Sequence, residues 1–140
     1  MIVVDTNVIS ELMRPQPSTA VLQWFTEHSS SELFVTSITL AEIRYGLRVM
    51  PIGKRRVEMT STFERYIYEA FDQHILDFTD SSAHIYAEIA GRRKEMGVPL
   101  SIADGQIASI ALQESYALAT RNIKDFQACG LELINPFDHT

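Results

Sequence analysis

The chain has 140 residues, 46% of them apolar and 21% charged, and its 12 Lys and Arg against 18 Asp and Glu give a formal net charge of −6 at pH 7. A chain of this length buries roughly two thirds of the surface it would expose unfolded, so residues 1–140 suffice for one domain without disulfides. The lone Cys129 excludes a disulfide framework, and an acidic balance excludes a protein that holds nucleic acid by bulk charge alone.

No apolar run reaches the roughly 18 residues that cross a bilayer, and Met1 leads straight into an apolar run with no basic leader. A cytoplasmic protein without a membrane contact is the expectation. In chain order, the apolar period predicts a strand at Ile2–Val4, a helix at Ser18–Glu27, a strand at Leu33–Thr36 and helices at Leu40–Val49 and Val57–Tyr68. Pro51–Arg56, with Gly53 and three cations, reads as an exposed loop between those two helices. A strand at Ile75–Phe78 follows, then helices at Ser81–Met96 and Ile102–Ser115 and strands at Ala117–Thr120 and Leu131–Ile134. Asp80 is the expected cap of the fourth helix; Arg92, Arg93 and Lys94 sit in its last turns, where the helix dipole favours cations, and Gly97 with Pro99 ends it. The fifth helix has almost no polar face and is expected to pack directly on the sheet. Strands alternating with helices imply an α/β fold, a mainly parallel five-stranded sheet covered on both faces.

Open parallel sheets bind ligands at the carboxyl ends of their strands. Asp5 follows the first strand, Glu42 lies early in the helix after the second, and Asp104 opens the buried fifth helix. Gathered at one edge, such carboxylates repel unless protonated or bridged by a cation, and a hard divalent ion, Mg²⁺ or Mn²⁺, prefers their oxygens. Such an ion can activate water against a phosphodiester and reverse the local sign of an acidic surface toward RNA. Capping is the competing reading. Thr39 to Glu42 and Ser101 to Asp104 both have capping-box spacing, and Asp5, Thr6 and Asn7 are each suited to start a short helix.

Four segments carry a family resemblance: Val4-Asp5-Thr6-Asn7-Val8-Ile9-Ser10-Glu11, Ser37-Ile38-Thr39-Leu40-Ala41-Glu42-Ile43 with Gly46, Ala103-Asp104-Gly105-Gln106-Ile107-Ala108, and Ala119-Thr120-Arg121-Asn122. The chain resembles, over essentially its whole length, PIN-domain ribonucleases of the VapC type in their FitB-like branch. The resemblance implies a three-layer α/β/α domain and a Mg²⁺- or Mn²⁺-dependent endoribonuclease, the toxin of a toxin–antitoxin pair. It casts Asp5 and Asp104 as principal metal ligands and Glu42 as a further ligand or the acid that orients the attacking water. Many relatives carry an Asp directly after Thr-Arg; here Asn122 stands there, so either Asn122 lines the site without charge or Asp125 supplies the missing carboxylate. The resemblance also implies a homodimer, an RNA substrate, with tRNA preferred by analogy, and a small VapB- or FitA-like antitoxin that inserts a basic residue into the acidic pocket.

Thr6 and Thr120 are expected near the phosphate, as donors or as turn residues. Arg121 and Lys124 flank the fourth position and are better placed for a phosphate than Lys54-Arg55-Arg56 or Arg92-Arg93-Lys94, which read as solvated helix ends. Trp24 is expected to anchor its helix, Tyr45, Tyr66, Tyr68 and Tyr86 to serve core or interface, and the four His to be structural or surface groups. Two other functions are compatible with these residues: a receiver-like Mg²⁺-binding signalling domain, for which Asp77 and Asp80 fit poorly as phospho-acceptors, and a non-catalytic module that docks a basic tail.

Overall fold

Ile2–Val4 are β-branched and fully enclosed, and in the computed structural model, which describes residues 1–140, they form β1, the middle strand of a sheet. The other strands are β2 (Leu33–Thr36), β3 (Ile75–Leu76), β4 (Ala117–Ala119) and β5 (Leu133–Ile134). The sheet order is β3-β2-β1-β4-β5, and every neighbouring pair is parallel, with Ile2 opposite both Leu33 and Ala117. Six helices cover the sheet: α1 (Thr6–Leu12), α2 (Thr19–Glu27), α3 (Ser37–Arg48), α4 (Lys54–Phe71), α5 (Asp80–Glu95) and α6 (Ile102–Glu114).

Side chains alternate across a strand, so β1 feeds two cores. Ile2 and Val4 join Leu33, Val35, Val8, Trp24, Leu47 and Phe63 on the face covered by α1 to α4. Val3 and Leu118 join Ile89, Ile107, Ala108 and Ala111 on the face covered by α5 and α6. The result is the expected three-layer α/β/α arrangement. On the second face α6 is buried at Gly105 and at every position from Ile107 to Ala111. Gly105 permits this closeness: a Cβ there would fall 2.6 Å from Cε2 of Tyr86 on α5. No helix is long and apolar enough to cross a membrane.

Several boundaries differ from the periodic reading, each for a local reason. Helix α3 starts at Ser37 rather than Leu40, because Thr36 ends β2 and at once caps the helix, its Oγ1 accepting from the Thr39 N–H at 3.1 Å. Strand passes to helix with no loop. Helix α4 begins at Lys54 and reaches Phe71, extended by the buried stripe of Phe63, Ile67 and Phe71, so only residues 49–53 form the connection. The cap of α5 is Thr79, not Asp80. Thr79 and Ser82 hold each other's backbone N–H groups, at 2.8 and 3.3 Å, as a capping box does. Gly97 follows α5 with φ of +77°, the left-handed turn expected there. Helix α1 has no periodic stretch long enough to announce it, and β3 and β5 shrink to two residues each.

Candidate active site at the carboxyl edge

Asp5 leaves β1 and caps α1, so its carboxylate lies at the sheet edge against the helix start. It is only 3% exposed. Its Oδ1 accepts from the Thr6 N–H at 2.8 Å, and its Oδ2 from the Thr120 hydroxyl at 2.8 Å and the Asn7 amide at 3.3 Å. Thr120 directly follows β4 and itself accepts from the Asn122 N–H at 3.0 Å, while the Arg121 N–H donates to Asn7 Oδ1 at 3.1 Å. The ends of the two central strands are thereby tied together through Asp5 and Asn7. Burial pushes the Asp5 carboxyl up to about 6; the Thr120 and Thr6 hydrogen bonds oppose this, and the neighbouring charges of Asp104 and Glu42 add to it.

Glu42 sits one and a half turns into α3, too far along to cap it, and the Thr36 cap replaces the capping-box reading. Its carboxylate is solvent-exposed and accepts from the Thr6 hydroxyl at 2.7 Å, the same hydroxyl that pairs with Thr39 Oγ1 at 2.9 Å. Thr6 and Thr120 thus spend their protons on carboxylates. Asp104 is the third residue of α6, and its N–H does donate to Ser101 Oγ, at 3.2 Å, as expected of a capped start. Burial raises the Asp104 carboxyl, the Ser101 hydroxyl opposes the rise, and the charges of Asp125 and Glu42 raise it further. Asp125 lies in a 3₁₀ turn, Ile123–Phe126; Asn122 precedes that turn and makes no side-chain cap bond to it.

Asp5 therefore feels the charges of Asp104 and Glu42, and Asp104 those of Glu42 and Asp125, so acids from four separate stretches of chain neighbour one another in turn along one edge of the sheet. They form an open group: no three Asp, Glu, His or Cys side chains close into a ready-made metal cage.

One organising residue escaped the sequence reading. Arg93 is not a solvated helix end but is 5% exposed. Its Nε donates to the Val98 carbonyl at 2.7 Å and its Nη1 to the carbonyls of Asp125 and Gln127 at 2.7 and 2.9 Å. One guanidinium thereby joins the approach to α6 and the turn that carries Asp125. A hint was present in the spacing of Ile85, Ile89 and Arg93, four residues apart on the packed face of α5. Of the aromatic and imidazole residues, Trp24 is buried as expected, while Tyr45 and Tyr68 face solvent. His74 stacks on Phe34, and His139 lies 2.7 Å from Glu27, so both serve packing rather than the acidic edge.

A parallel α/β/α sandwich with convergent acids at its carboxyl edge is the arrangement of the PIN domain, and the PIN-domain family matches residues 2–129; the chain belongs to it. Within the family it is 39% identical over 138 residues to the VapC ribonuclease Y4jK of Sinorhizobium fredii, covering 99% of each chain. It is 37% identical to the toxin FitB of Neisseria gonorrhoeae, covering 98% of this chain and 99% of FitB. The structure of FitAB bound to an IR36 DNA fragment contains a chain that superposes with a TM-score of 0.93 at 36% identity, across 100% of this chain and 98% of that one.

Proposed function

We propose that the chain is a metal-dependent endoribonuclease, the toxin of a VapBC-type toxin–antitoxin pair, and that its 140 residues work as a single catalytic domain. The observation that carries this reading is the convergence of Asp5, Glu42, Asp104 and Asp125 at the carboxyl edge of a PIN fold. The names of its relatives, a VapC ribonuclease and the FitB toxin, point the same way.

The donor set suits a hard divalent cation, Mg²⁺ or Mn²⁺. All four side chains offer carboxylate oxygens; burial is the main cause of the upward push on Asp5 and Asp104, and the neighbouring carboxylates add to it. An open group is also what Mg²⁺ accepts, since it is held by one or two carboxylates and completes its shell with water and substrate phosphate. Asp5 and Asp104 would hold the ion, with Glu42 and Asp125 at its margin. Once bound, it supplies Lewis-acid stabilisation of the phosphate and makes water more acidic.

The protein's own contribution is positional. Thr120 and the Thr6 N–H fix the two Asp5 oxygens, and Thr6 holds Glu42 in a fixed direction. Glu42, exposed and hydrogen-bonded on one oxygen, is placed to orient a water and accept its proton. Asn122 lines the site through its backbone bond to Thr120 and adds no charge.

RNA is the substrate, with tRNA favoured by analogy alone. The partner is a small VapB- or FitA-like antitoxin that sends a basic side chain into the acidic group, where a guanidinium would compete with the ion for paired carboxylates. A homodimer working in the cytoplasm completes the reading. The receiver-like alternative loses ground because Asp77 follows the edge strand β3, with β2 between it and β1. The purely structural alternative loses ground because Glu42 caps nothing.

Comparing Asp5→Asn and Asp104→Asn with the partner-free wild type on total tRNA in Mg²⁺ tests the proposal. Cleavage is expected to fall by about 100-fold or more in each, the scale of removing an essential electrostatic group. Undiminished cleavage in both would end the metal-nuclease reading.

A further inference from the structure

Toward β5, a cavity of about 640 Å³ opens between the end of α1 and the segment that follows β5. Arg14, Gln16, Arg121 and Phe137 line it. Arg121 is bonded in sequence to Thr120, the residue that holds Asp5, so the cavity begins one residue from the acidic group. The Arg121 guanidinium carbon lies 4.5 Å from the centre of the Phe137 ring, a cation stacked on an aromatic face. Phe137 is held in turn by Asn135, whose Oδ1 accepts its N–H at 3.0 Å.

The charges of this cavity differ from those of the acidic group. Arg14 and Arg121 are balanced by Glu11 and Asp138, both also in its wall. Glu11 is committed within the fold: it accepts from the Ser18 N–H at 2.9 Å and from Arg14 at 3.3 Å, and these bonds hold its carboxyl below the ordinary range. Arg121 makes no direct ion pair; its charge helps lower Glu11, and its guanidinium plane is held on the Phe137 ring in the cavity wall. A wall that is neutral in sum, carries amides and contains a guanidinium on an aromatic ring is built for a nucleobase rather than for a run of phosphates. Unpaired bases are held by aromatic faces and guanidinium planes in this way.

We propose that this cavity receives the base of the nucleotide next to the scissile phosphate of single-stranded RNA, stacked against the Arg121–Phe137 pair, with Arg121 also meeting the backbone phosphate. The proposal rests on the nuclease reading and adds to it the element that positions substrate. Purines, with the larger stacking face, bind better than pyrimidines.

Fluorescence anisotropy with labelled oligo(A) and oligo(U) of roughly ten nucleotides, in an Asp104→Asn background that prevents cleavage, tests this directly. Phe137→Leu is expected to weaken oligo(A) binding about tenfold and oligo(U) binding less, as loss of one stacked base does, whereas Phe137→Tyr keeps the ring and the affinity. Arg121→Gln is expected to weaken both, and it provides an independent readout should Phe137→Leu melt early in circular dichroism. Unchanged binding in Phe137→Leu and Arg121→Gln, or equal losses in Phe137→Leu and Phe137→Tyr, would overturn the subsite. Cleavage kinetics with Asp104 intact separate the two readings. Normal cleavage with Phe137→Leu indifferent in KM removes the subsite and leaves the nuclease; ring-dependent binding without any cleavage leaves the subsite and removes the nuclease.

Discussion

Asp5 is buried as a core residue is, yet it carries a carboxyl at the edge of the acidic group. Its carboxyl is raised to about 6 from an ordinary 3.8, so between those pH values the folded chain holds more protons than the unfolded one. By linkage, stability that is fully present below pH 3.8 is lost as pH rises through 6. The loss at pH 8, in chelator, is about 2–3 kcal/mol, since each pKa unit corresponds to about 1.4 kcal/mol. Asp5→Asn removes this penalty, and the Thr120 hydroxyl can rotate to accept from the new amide, although the long 3.3 Å bond from the Asn7 amide is lost. The variant is therefore expected to be more stable than wild type in urea titrations at pH 8, with no gain at pH 4; a gain of the same size at both would show that burial of charge is not the cause. Asp5, Glu42 and Asp104 were legible as candidates because each sits at or soon after a recognisable strand end or helix start. The roles of Thr6 and Thr120 were not legible, since a hydroxyl's partner is fixed by rotamer and by neighbours 36 and 115 residues away in sequence.

At the scale of elements, the strands followed from short apolar runs, and α2 to α6 from apolar period, so the α/β class was open to reading although α1 was not. What was hidden lay at the junctions. Thr36 serves as the last residue of β2 and the cap of α3, and periodicity cannot assign one residue to two elements. Arg93 was hidden because basic residues in a helix's last turn ordinarily satisfy the dipole in water, and only the packed loops 98 and 125–127 turn this one inward. Arg93→Met retains the volume of the side chain and deletes its donors, leaving three carbonyls to find others. It is expected to cost about 2–3 kcal/mol, within the range for stranding buried polar partners, and to expose residues 121–130 to limited proteolysis before the rest of the chain opens. Loss of stability without that local exposure would mean that Arg93 supports α5 rather than the Asp125 turn.

For the molecule as a whole, an acidic chain with a concentrated group of carboxylates gains from any cation that binds the folded state alone. Mg²⁺ at 100 times its dissociation constant would add about 2.7 kcal/mol, which in a chain of this size raises Tm by roughly 5–10 °C. The rise is expected in wild type and absent in Asp5→Asn and Asp104→Asn, as differential scanning calorimetry with and without EDTA would record. An equal rise in all three would place the ion elsewhere. The parallel sheet also explains why the site draws on nearly the full length of the sequence: β1 lies between β2 and β4, and each crossover returns the chain to the same end.

This topology has a consequence for the cell that makes the protein. Asp5 is translated 115 residues before its hydroxyl partner Thr120, and its flanking strand β4 is made just before that partner. Until then the middle strand lacks one edge and the acid lacks its clamp. A polypeptide released before Thr120 therefore leaves Asp5 unclamped, and ribonuclease activity is expected only from chains extended through β4.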